Sequence, residues 1–177
     1  MHRINLAKRA TLRVAVACGA LALAAKPAMA QQSPGVTDKE ILLGTWMPLT
    51  GPVAAYGVPW RTGIETYLKL VNDQGGVKGR KFVLVVEDNG YNPQRTVAAA
   101  RKLVSRDNVL AIASPFGTGQ SAAAFEYLFD EAKVPLINVF GGAADWYAPA
   151  RPYLFGALVL YENQLRTLGR WAAKDGH

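Results

Sequence analysis

Short apolar runs alternate with amphipathic stretches along this chain, and that alternation limits the fold more than any other feature. Residues 41–47 form an apolar run that reads as a strand. Within 58–74, Ile64, Tyr67, Leu68 and Val71 recur at the spacing of a helix face, and Gly75-Gly76 stops that helix. Residues 82–86 are apolar and β-branched, a buried strand. Asn92 as N-cap and Pro93 at the first helical position then open a second helix, with Val97, Ala100 and Val104 as its stripe. A third strand is expected over 109–113 and a fourth over 136–140. Between them 121–132 reads as a helix with Phe125, Leu128, Phe129 and Ala132 on one face. A short extended piece at 153–155 and a helix over 163–174 complete the order. This pattern predicts an α/β fold, a parallel sheet flanked by helices, with right-handed crossovers.

Ligands on such sheets bind beyond the carboxyl ends of the strands. Those ends are the segments 47–57, 87–92, 114–120 and 140–150. In 114–120 two glycines, Ser114, Thr118 and Phe116 precede a helix, whose free N–H groups suit an anion. An ordinary N-cap turn has the same composition. The lysine of a phosphate-binding P-loop is missing. Phe140, Gly141 and Gly142 follow the fourth strand, and glycines there let main chain approach a ligand, or simply make a tight turn. Tyr56, Trp146, Tyr147 and Tyr161 add aromatic surface that serves a ring-bearing ligand or the core equally well.

The first 30 residues have the three parts of a secretory signal. Arg3 to Arg13 form a basic region, Val14 to Ala25 an apolar one too short to span a bilayer comfortably, and Ala28-Met29-Ala30 a cleavage site. The net charge of +7 mostly belongs to this leader. Without Arg3, Lys8, Arg9, Arg13 and Lys26, the remaining 15 bases face 13 acids, so no global attraction to nucleic acid is expected. Past the leader there is no cysteine, Cys18 lying within it, and the only histidine is His177. Thiol and histidine catalysis, and metal sites built on those residues, are therefore not expected; nor is a cofactor. Glu87 and Asp88 read as structural acids.

The segment 35–57 with its PLTGP…YG loop, the NDQGGVKG turn at 72–79, the D…P…A…A…L stretch from Asp88 to Leu103, and VPLI at 134–137 occur in order. Together they resemble the branched-chain amino-acid-binding (leucine/isoleucine/valine-binding) family of periplasmic ABC-transporter substrate-binding proteins, type I fold, over its N-terminal part. The resemblance implies a leader over 1–30, an N-terminal α/β ligand-binding lobe over 31–155, and a hinge with the start of a truncated second lobe over 156–177. It implies a periplasmic receptor, not an enzyme, that closes two lobes on a small solute and delivers it to an inner-membrane ABC permease. A ligand-sensing receptor of the same fold and a non-functional truncated product are the alternatives. Phe116, Gly117 and Thr118 fall where the family holds the ligand carboxylate. Phe140, Gly141 and Gly142 fall on the other side of the ligand head group. Tyr56 lies at the rim, and Tyr161 at the entry to the second lobe. Amino-acid binders of the family carry a hydroxyl in the loop after the fourth strand. Here Phe140 to Ala143 has none, so an aromatic or other organic acid stands beside a branched-chain amino acid as the solute. A single lobe is expected to hold either weakly or not at all. Export is open to a direct check. Mass spectrometry of periplasmic material should find a chain beginning at Gln31, and a cytoplasmic chain that retains Met1 would refute the leader.

Overall fold

The computed structural model describes residues 33–176, so the leader and its cleavage site lie outside the described residues. The elements are β1 (Glu40–Met47), α1 (Ala54–Asp73), β2 (Lys81–Asp88), α2 (Pro93–Ser105), β3 (Ala111–Ala113) and α3 (Thr118–Ala123). A π-helical turn (Glu126–Glu131), β4 (Leu136–Ile137), a 3-10 turn (Ala144–Trp146), β5 (Leu154–Phe155) and α4 (Tyr161–Lys174) follow. All five strands are parallel, in the order β2-β1-β3-β4-β5. β1 is thus the point at which the strand order reverses.

Alternation along β1 sends successive side chains to opposite faces. Trp46 joins Leu103, Ile112, Leu128 and Leu136 in the main core, beneath α2 and the π turn. Leu43 faces the other way, with Ala111, Ala113 and Leu68 of α1. Gly44 permits close packing on the first face, since a Cβ there would lie 3.1–3.2 Å from Ile112, Val109 and Leu103 side chains.

The glycine-rich turn after α1 has a mechanical reason. Asn72 donates to the Phe82 carbonyl (2.8 Å) and accepts the Phe82 N–H (2.7 Å), binding the helix end to the edge of β2. Gly76, at φ 71°, lies so close to Arg80 that a Cβ would meet its carbonyl oxygen at 2.0 Å.

Several boundaries differ from those read in the sequence. α1 begins at Ala54 rather than 58, so Pro59 lies inside it. Proline at this sixth helical position forfeits the bond to the Ala55 carbonyl and disfavours the helix locally, so the rest of the helix carries it. The buried face of α2 is Thr96, Ala99, Ala100 and Leu103, with Val97 and Val104 only half-buried at its flanks. Thr96 is affordable inside because its hydroxyl donates to the Asn92 carbonyl (2.8 Å) and accepts from Asn89 (2.9 Å). The third helix starts at Thr118 and changes to π geometry, where Ala132 N–H reaches back to Tyr127. β3 begins at Ala111 rather than 109 and ends where read, whereas β4 stops at Ile137 because Asn138 (φ 53°) turns the chain out of the extended state. Asn92 caps α2 as expected, accepting from Arg95 N–H at 2.9 Å.

Two glycines of α1 separate packing from helix propensity. A Cβ on Gly57 would sit 1.9 Å from the Pro48 carbonyl oxygen, whereas one on Gly63 would meet nothing within 4 Å. Alanine normally gains about 0.5–1 kcal/mol over glycine in a helix, and overpacking costs about 1–3. Thermal denaturation should therefore show Gly63→Ala melting above the parent and Gly57→Ala below it.

Candidate functional site

The carboxyl ends of the strands carry the loops 48–53, 89–92, 114–117 and 138–143. Main-chain bonds cross-link the last two. Gly117 N–H donates to the Phe140 carbonyl (3.2 Å), and Phe140 N–H to that of Pro115 (2.9 Å). Phe116 N–H reaches the Trp46 carbonyl at the end of β1 (3.0 Å). Gly117, at φ 112°, adopts a conformation that side chains disfavour. The N–H groups of Thr118, Gly119 and Gln120 are the first-turn donors of α3, which no carbonyl of their own helix can serve.

Thr118, Gly141, Gly142 and Tyr161 come together. The hydroxyls of Thr118 and Tyr161 are 2.9 Å apart, and Tyr161 N–H donates to the Gly142 carbonyl at 2.8 Å. A Cβ on Gly142 would press on the Tyr161 ring (3.1 Å), and one on Gly141 on Trp146 (2.4 Å) and the Thr118 hydroxyl (3.2 Å). Both glycines are needed for this approach. The Phe116 and Phe140 rings stack on one another, 4.7 Å apart and 5° from parallel. Main-chain bonds engage both N–H groups and the Phe140 carbonyl, so these two positions tie the loops together and bring their rings into contact. Tyr56 stands apart, exposed on the first turn of α1.

Three residues of the edge were not singled out as site residues. Trp60 of α1 donates from Nε1 to the Ser114 carbonyl (2.8 Å) and sets its ring edge-on to Phe140 at 5.0 Å. It continues the apolar stripe of α1 by one turn, at i−4 from Ile64. Tyr91 tilts over Phe116, ring centroids 6.2 Å apart. An aromatic residue inside the polar turn Asn89-Gly90-Tyr91-Asn92 is the signal that marks it. Asp88 fastens two loops. One oxygen accepts Leu49 N–H and Gly90 N–H, each at 2.9 Å; the other accepts the Thr50 hydroxyl at 2.6 Å and faces Arg95 Nη2 at 3.4 Å. Its neighbour Glu87 pairs with Lys102 at 2.5 Å.

Adjoining this edge at Trp60, Ser114 and Asn138, an apolar groove of about 470 Å³ runs between α1 and the sheet, lined also by Leu43, Ile64, Tyr67 and Ile137. It offers few polar groups to orient a small acid, and the convergent loops of the edge are the better candidate site.

A parallel sheet whose order reverses at β1, with glycine loops gathered at its carboxyl edge, is a doubly wound lobe, and it superposes on solved lobes of the type I periplasmic binding fold. Residues 40–177 match the family model described as periplasmic binding protein. The Leu/Ile/Val-binding protein BraC3 of Rhizobium johnstonii is 39% identical over 80 residues, 45% of this chain and 22% of that protein. A solute-binding protein of an ABC transporter from Rhodopseudomonas palustris BisB5, solved in complex with 3,4-dihydroxybenzoic acid, superposes with a TM-score of 0.68. It is 28% identical, over 77% of this chain and 37% of that one. LivJ of Streptococcus pneumoniae, the branched-chain amino-acid transporter substrate-binding protein solved with isoleucine, superposes at 0.63 with 28% identity, over 69% of this chain and 34% of that one. The chain belongs to the periplasmic binding protein family and spans well under half the length of these relatives. That is a family of solute-binding proteins rather than of enzymes.

The Asp88 junction has a pH signature. Burial acts to raise its pKa but is outweighed by the Thr50 hydroxyl, the Leu49 and Gly90 N–H groups and the Arg95 charge, which together bring it from 3.8 to about 2. A lowered carboxylate pKa stabilises the fold above the unfolded value, and that stability is lost as pH falls toward the folded one. Melting curves from about pH 5 to about pH 2 should show roughly 2 kcal/mol lost from this group. Asp88→Asn should be less stable at the upper end and fall less steeply. An acid limb parallel to the parent's would assign the loss to other carboxylates.

Proposed function

We propose that the chain is the ligand-binding lobe of an exported receptor that captures a small carboxylate-bearing solute between two lobes for import through an inner-membrane ABC permease. A branched-chain amino acid and an aromatic or other organic acid are the solute classes that fit. The observation that carries this reading is the meeting of Thr118, Tyr161, Gly141 and Gly142 beside the first turn of α3. Unserved N–H groups and two hydroxyls suit a carboxylate, and glycine main chain lets the ligand approach closely. Similar proteins solved with isoleucine and with 3,4-dihydroxybenzoic acid support both solute classes. The leader over 1–30 supports export.

Hydrogen bonds to a charged group contribute about 1.5–3 kcal/mol each, so Thr118→Val should weaken acid binding about tenfold or more. Ligand-observed NMR titration with isoleucine, 3,4-dihydroxybenzoate and their methyl esters reads the weak affinities expected of one lobe. Esters that bind as well as the free acids would exclude carboxylate recognition at this edge.

A further inference from the structure

We infer that Tyr91 is the specificity-determining side chain of this site, an aromatic wall that selects an acid whose carboxyl group is borne on a planar ring. The inference rests on the receptor reading above and narrows it. Four rings form a row at the edge. Trp60 meets Phe140 edge-on (5.0 Å), Phe140 stacks on Phe116 (4.7 Å), and Tyr91 tilts over Phe116 at 6.2 Å and 56°. Phe116 is 8% exposed and Tyr91 39%, so Tyr91 is the open end, where one more planar group adds by edge or offset contact. Its Cε2 lies 3.2 Å from the position a Cβ would take on Gly117, directly beside Thr118.

The backbone of Tyr91 points the same way. Its φ of 59° is a conformation that glycine adopts freely and a bulky residue resists, and Gly90 beside it is also left-handed at 52°. The main chain is nevertheless held there from both sides. Asn89 Oδ1 accepts the Tyr91 N–H at 3.0 Å, and Gln120 Nε2 donates to the Tyr91 carbonyl at 3.1 Å. Residues held against backbone preference cluster at ligand clamps. Asp88, the carboxylate of the same turn, is engaged by Leu49, Thr50, Gly90 and Arg95, so it is not free to take the ammonium of an amino acid.

The substitution that tests this is Tyr91→Gly, because glycine suits the backbone and removes only the ring. The chain and its variant are titrated with 3,4-dihydroxybenzoate and with isoleucine by ligand-observed NMR, and melted alongside. The parent should prefer 3,4-dihydroxybenzoate. Tyr91→Gly should melt no lower than the parent and weaken that ligand about fivefold, the size of a lost aromatic contact, with isoleucine changed less than about twofold. Tyr91→Phe should keep the preference. Unchanged affinity in Tyr91→Gly, a parent preference for isoleucine, or equal losses for both acids with a lowered Tm would overturn the assignment and leave the receptor reading standing. A parent that binds neither acid would remove the reading of this edge as a carboxylate site and this assignment with it.

Discussion

Everything at the carboxyl edge hangs on β1 being paired on both sides. It runs beside β2 over its whole length, Glu40 opposite Lys81 through Met47 opposite Asp88, and beside β3 at Leu43 and Gly44. Helices cover both faces of the sheet, so β1 is buried on both sides from Leu43 to Met47, which is why its run 41–47 is largely apolar. The order β2-β1-β3 also makes the chain leave β1 for one neighbour and return to the other. α1 therefore covers one face and α2 the opposite one, and the loops beyond β1 and β3 part at the switch point. The Asp88 junction and the Phe116 bond to Trp46 lie at this divide, one on each side of β1.

The edge is built from conformations that cost energy. Tyr91, Ser114 and Asn138 all carry positive φ, each just beyond a strand. Such residues cost on the order of 1–3 kcal/mol each and persist only where their surroundings over-determine them. Here they do. Asn138 Nδ2 donates to the Ser114 hydroxyl at 2.9 Å, Trp60 holds the Ser114 carbonyl, and Asn89 and Gln120 hold Tyr91. In return β3 and β4 end after three and two residues, and their loops turn early enough for Gly117, Gly141 and Gly142 to gather.

What was legible in the sequence is what short-range chemistry decides. The order of strands and helices follows from apolar period, the start of α2 from Asn92-Pro93, and the end of α1 from Gly75-Gly76. The start of α1 was hidden because Pro59 reads as a boundary although the rest of the helix carries it. The face of α2 was shifted by one because Thr96 looks polar until its bonds to Asn92 and Asn89 are seen. Thr118, Gly141, Gly142 and Tyr161 were found through motif order, and they meet. Asp88 was read as structural, but its separation of 39 positions from Leu49 hid which loops it joins. Trp60 and Tyr91 were missed for the same reason. The α1 stripe marks Trp60 and the polar turn marks Tyr91, but their partners Ser114, Phe140 and Phe116 are distant in sequence and only the folded sheet brings them together.

The groups assembled around Thr118 also bear on how such an edge could hold and release an anion. A fixed cation buried there would carry a desolvation cost of several kcal/mol when the site is empty, and a deep well when it is full. Hydroxyls and main-chain N–H groups avoid both. Thr118 and Tyr161 satisfy each other at 2.9 Å, with either oxygen able to donate, so neither is stranded without a ligand. Turning one hydroxyl toward an incoming carboxylate exchanges a neutral bond for a charge-assisted one, which is roughly twice as strong. The gain is moderate and reversible, which suits a carrier better than a trap. It also falls where α4 joins the lobe, since Tyr161 is the first residue of that helix and is tied by its N–H to Gly142. α4 is otherwise exposed along its length, Leu165, Leu168 and Trp171 included. The contacts that would meet an anion are thus also among those that fix the direction in which α4 leaves the lobe.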